Sequence, residues 1–65
     1  MTVFRLQDVT QAVDTVLASR TQQHEDVFVY VDGELLYAFY HQQQTEVITT
    51  SHWRGYLIQA LHASL

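Results

Sequence analysis

The chain has 65 residues, no cysteine and a formal net charge of -4, and a domain this short buries only about 60% of the surface its unfolded form exposes. Without cysteine, disulfides, thiolate zinc sites, redox pairs and a cysteine nucleophile are excluded together, so association with another chain is the expected source of added stability. Arg5, Arg20 and Arg54 are the only arginines and there is no lysine, which is too little clustered charge for the counterion release that phosphate backbones require; nucleic acid is therefore not the expected partner.

No basic segment precedes an apolar run, and no stretch nears the roughly 20 apolar residues that cross a bilayer. A cytoplasmic location without membrane contact is expected. Nothing repeats at a fixed period, no proline interrupts the chain, and the polar clusters Thr21 to Glu25 and Gln42 to Gln44 are short enough to be loops. Residues 1–65 are read as a single domain. Four histidines beside seven acids bring the net charge towards zero near pH 5 to 6, where small domains self-associate.

In chain order, Thr2 to Leu6 suits a short strand with Phe4 and Leu6 inward, with an extra helical turn as the alternative. Val9, Ala12, Val13, Val16 and Leu17 then recur at three- and four-residue spacing. Asp8 is a natural cap, Gln11 completes a capping-box pattern, and Arg20 suits the negative end of the helix dipole.

From Asp26 to His41 the period becomes two. Val27 to Val31 faces Leu35 to Phe39 across Asp32-Gly33, a dipeptide that favours a two-residue type I′ hairpin because both positions need positive φ. An unbroken ladder from that turn opposes Tyr30 to Leu35, Val29 to Leu36, Phe28 to Tyr37 and Val27 to Ala38. One face would then carry Val27, Val29, Val31, Leu36, Ala38 and Tyr40, and the other Phe28, Tyr30, Leu35, Tyr37 and Phe39. Both are apolar, so both require cover. Thr45 to Thr49 is expected as a third strand. A second helix is expected from about Ser51, with Trp53, Tyr56, Leu57, Ala60, Leu61 and Leu65 in one stripe.

His24, His41, His52 and His62, with Glu25, Asp26 and Glu46, are the available metal ligands, but on one helix His52 and His62 lie about 80° apart around the axis and share no face. Ser51 and His52 read as a helix start, since no strained nucleophile turn or glycine-rich oxyanion loop accompanies them. Glu25 and Asp26, adjacent on a strand, point to opposite faces. Gly33 and Gly55 make no phosphate-binding loop. Phe28, Tyr30, Tyr37 and Phe39 invite base stacking, yet the flanking cations are missing and the same residues are favoured at protein interfaces. No cofactor, metal or enzymatic activity is expected.

Two outlines are similar to known families. An α-β-β-β-α order resembles the double-stranded RNA-binding domain, whose basic start to the last helix would fall on Ser51-His52-Trp53-Arg54, where Arg54 alone is cationic. A strand, a helix and then Val27 to Phe39 around Asp-Gly resembles the amino-terminal half of prevent-host-death type antitoxins over roughly the first 40 residues, without that family's basic residues. The second resemblance implies a dimer that binds operator DNA.

The fold class expected is α+β, a small two-layer domain with two helices packed on one face of a two- to three-stranded antiparallel sheet, ordered β-α-β-β-β-α or α-β-β-β-α. Two helices cannot easily cover both faces. The aromatic face, Phe28, Tyr30, Leu35, Tyr37 and Phe39, is then left as an interface, and an exposed hairpin edge offers a second route by strand addition. The function expected is a protein-interaction or structural module that forms a homodimer or small homo-oligomer, or binds another protein. The alternative is a small antitoxin-like regulator that binds nucleic acid through Arg5 and Arg20.

Overall fold

In the computed structural model, which describes residues 1–48, 55, 59 and 60, strand β1 (Thr2–Leu6) leads into helix α1 (Val9–Ser19). Strands β2 (Val27–Val31), β3 (Glu34–Tyr40) and β4 (Thr45–Ile48) follow. The result is an α+β domain with α1 packed against a four-stranded sheet of order β1-β2-β3-β4. The first strand is therefore real, and the expected third strand of the meander is β4.

Helix α1 begins where the Asp8 carboxylate accepts a hydrogen bond of 2.8 Å from the Thr10 backbone N–H. Such a cap satisfies one of the first-turn donors that have no partner inside the helix. The helix ends at Arg20, whose N–H donates to the Val16 carbonyl. Ala12 and Val16 are fully buried, and Val13 packs beside them, so these three of the five apolar positions read from the sequence meet the core, while Val9 and Leu17 are half-buried.

The sheet is mixed, which corrects the expected antiparallel arrangement. β1 runs parallel to β2 from Thr2↔Val27 to Leu6↔Val31, because the intervening helix carries the chain back to the end of the sheet where β1 started. Asp26 anchors that return: its carbonyl accepts from the Thr2 N–H at 2.9 Å and its carboxylate from the His41 N–H at 2.8 Å.

The β2–β3 turn is as expected, with Asp32 at φ 51° and Gly33 at φ 83°. The ladder beyond it is not. Val31↔Glu34 and Tyr30↔Leu35 pair as read, but the register then shifts so that Val29 faces Tyr37, Phe28 faces Ala38 and Val27 faces Phe39. Leu36 is the extra residue of a β-bulge. A bulge exchanges the faces of every residue beyond it. Tyr37 and Phe39 accordingly join Leu36 in the core with Val27, Val29 and Val31, while Ala38, also fully buried, lies on the opposite side of the sheet.

Register across the four strands sorts the residues into rows. Phe4, Val29, Tyr37 and Ile48 form one row on the helix side, and all four belong to or pack against the core. On the opposite side Val3, Phe28, Ala38 and Val47 form a second row, and Arg5, Tyr30 and Leu35 a third.

The expected second helix falls mostly outside the described residues, among them Trp53, Tyr56, Leu57, Leu61 and Leu65; Gly55, Gln59 and Ala60 are helical. No helix among the described residues is long and apolar enough to cross a membrane.

Candidate interaction surface

The sheet face turned away from α1 is built by the pleat. In β1 the alternate residues Thr2, Phe4 and Leu6 are half-buried, and Val3 and Arg5 are exposed. Arg5 sits opposite Tyr30 and lays its guanidinium over the Tyr30 ring, 4.6 Å from the centroid. An exposed cation held over a half-buried ring in this way contributes about 0.5–1 kcal/mol. It also draws the charge inward over β2.

Ala38 has a spacing role on this face. It stands opposite Phe28 and carries no bulk, so Tyr40 two residues on reaches diagonally to Phe28, with ring centroids 5.8 Å apart and planes at 79°. Edge-to-face contact of this kind stabilises beyond area burial alone. The bulge is what makes it possible, because an unbroken ladder would have put Tyr40 on the helix side.

Of the five residues expected at an interface, Phe28, Tyr30 and Leu35 lie together on this outer face and are half-buried. Tyr37 and Phe39 do not join them. They are 1% and 2% exposed and lie in the core. In their place the face gains Val3, Ala38 and Tyr40, of which Val3 and Tyr40 are among the exposed large hydrophobic residues. Sequence reasoning missed Val3 and Tyr40 because it counted the hairpin without β1 beside it and without the bulge.

The expected free edge of the hairpin is occupied. β1 pairs along β2 and β4 along β3, so among the described residues the outer edges of the sheet belong to β1 and β4. The β1 edge can be specified atom by atom. The Thr2 N–H donates to the Asp26 carbonyl, and the Leu6 carbonyl accepts from the Asp32 N–H at 2.8 Å. In a parallel ladder alternate residues turn both backbone groups to the same neighbour. Thr2, Phe4 and Leu6 therefore face β2, and Val3 and Arg5 direct N–H and C=O groups to the outside.

The start of β1 is held in place. The Met1 ammonium lies 2.9 Å from Glu25 Oε2, and the Thr2 hydroxyl donates to Glu25 Oε1 at 2.9 Å. These two contacts, the ammonium first, hold the Glu25 carboxyl below its ordinary range.

The other polar residues among the described ones line shallow grooves. His24 and His41 line one shallow groove with Glu25 and Asp26, but no group of three or more metal-ligating side chains occurs among the described residues. His52, His62 and Ser51 lie outside them. A groove of about 350 Å³ opens between α1 and β1, lined by Phe4, Thr15, Ala18, Ser19 and His24 among others. Its polar lining is hydroxyl, amide, imidazole and the Glu25 carboxylate, and that carboxylate is already engaged by the Met1 ammonium and the Thr2 hydroxyl.

No protein-family model, curated protein or solved structure matches the chain.

Proposed function

We propose that the protein is a small protein-interaction module that self-associates through the outer face of its sheet. The observation that supports this reading is the corner at which Val3, Phe28 and Tyr40 meet. The large hydrophobic residues most exposed among the described ones, Met1, Val3 and Tyr40, lie around it, with Phe28 opposite Val3 and in ring contact with Tyr40. Grouped apolar exposure marks contact surfaces, whereas single exposed residues do not. A tyrosine and a phenylalanine on a rigid strand also provide contact area at low entropic cost.

Light scattering behind size exclusion at two concentrations tests the reading. Wild-type protein should give a mass above the 7.6 kDa of one chain, and Tyr40→Asp should lower it while leaving circular dichroism unchanged. An unchanged mass in folded Tyr40→Asp protein would remove this face as the interface.

The operator-binding alternative draws no support from the two arginines it relies on. Arg20 is paired with Glu46 and Arg5 lies over Tyr30.

A further inference from the structure

We infer that β1 is a homotypic pairing edge: two copies of the chain join antiparallel through β1, with Phe4 facing Phe4 of the second copy, to make one continuous eight-stranded sheet. This contact is at the edge of the sheet and is carried by a different observation from the apolar corner above.

The occupant of an open strand edge is set by its backbone groups, which accept another strand. In β1 the outward pairs are those of Val3 and Arg5, placed symmetrically about Phe4. A two-fold axis at Phe4 brings Val3 of one chain opposite Arg5 of the other, so each exchanges both N–H and C=O bonds with its partner. Four hydrogen bonds form and no outward group of the strand is left over.

Charge and pairing select that register from its neighbours. Only shifts of two residues keep the outward groups in line. One such shift sets Arg5 directly against Arg5 of the second copy, and like charges facing across strands are destabilising; the other pairs only Val3 with Val3 within the strands and sets Arg5 against Met1, beyond the end of β1. Pairing about Phe4 sets Arg5 against Val3 instead.

The usual guards against edge pairing are absent from β1. Its ladder with β2 runs without a register shift, the chain contains no proline, and its one charged side chain is turned over Tyr30. Val3 is 40% exposed, and neither Val3 nor Arg5 has an outward backbone partner among the described residues. β4 is shorter, and its Glu46 is engaged by Arg20.

A chain free of cysteine allows the register to be read directly. Val3→Cys and Arg5→Cys are made as separate single variants, mixed in equal amounts and oxidised, once in the native background and once with Tyr40→Asp. Residues opposed in a hydrogen-bonded antiparallel pair have Cα atoms about 5.5 Å apart, within the span of a disulfide. The expected result is the mixed disulfide as the dominant product, above its share in a statistical mixture, in both backgrounds. A statistical mixture, a dominant homodisulfide from Val3→Cys, or no crosslink would overturn the inference. Loss of the excess only with Tyr40→Asp would also overturn it, by making edge contact a consequence of the face. The light-scattering test of Tyr40→Asp stands separately, so failure of the edge and failure of the face are told apart.

Discussion

Tyr37 donates its phenolic hydrogen to Glu46 Oε2 across 2.7 Å, joining β3 to β4 on the helix side of the sheet. The same oxygen accepts from Arg20 Nε at 2.9 Å, and Arg20 Nη2 reaches the other carboxylate oxygen at 3.4 Å. One carboxylate thus ties the end of α1 to the edge strand and satisfies the hydroxyl of a tyrosine that is 1% exposed.

This arrangement makes stability fall at high pH. Burial, with the hydrogen bond to Glu46 and that residue's charge adding to it, pushes the Tyr37 phenol well above its ordinary value. A folded state that keeps its proton while the unfolded chain loses it gains stability that is fully present below the unfolded value, about 10, and is lost as pH rises towards the folded one. Urea denaturation midpoints should decline from pH 9 to pH 11 in wild-type protein and decline less in Tyr37→Phe. Equal slopes would show that Tyr37 does not hold its proton.

Removing the arginine should be mild. Arg20 and Glu46 side chains are each about one-third exposed, so solvent screening limits Arg20→Ala to about 0.5–1 kcal/mol. Glu46→Leu should cost more, about 1–3 kcal/mol, because it also removes the partner of the Tyr37 hydroxyl. Comparing the two by chemical denaturation checks the order.

The bulge makes opposite forecasts for two tyrosines three residues apart. Tyr37→Ala empties a core position and should cost about 3–5 kcal/mol, as large aromatic truncations do. Tyr40→Ala removes an exposed ring contact and should cost about 1 kcal/mol. If the two substitutions are equally tolerated, the register shift at Leu36 is wrong.

Two local changes probe the termini of the elements. Asp8→Ala should lower stability by about 1 kcal/mol through loss of the bond to the Thr10 N–H. Gly33→Ala should cost about 1–2 kcal/mol. At Gly33 an added Cβ would meet no atom within 4 Å, so its whole cost comes from φ 83°. Thermal unfolding of both variants at neutral pH measures these values, and an Asp8→Ala melt equal to wild type would discount the cap.

Much of this was legible from local rules. The apolar spacing of Ala12, Val13 and Val16, the Asp8 cap and the Asp32-Gly33 turn each depend on neighbours within a few residues, and each stands as read. Phe28, Tyr30 and Leu35 also share a face as expected, since they lie on the turn side of the bulge or on the unbulged strand.

What the residues by themselves determined, then, is the elements up to Ile48 and the tight hairpin, because cap, period and positive φ are short-range constraints. The tertiary structure decided the side of the sheet on which Tyr37, Ala38, Phe39 and Tyr40 fall, the parallel pairing of β1 and the identity of the open edge. An uninterrupted apolar run such as Leu35 to Tyr40 contains no polar alternation to select a register. The choice passes to packing against α1 and to the bond between Tyr37 and Glu46, which bring together residues far apart in the chain or on separate strands.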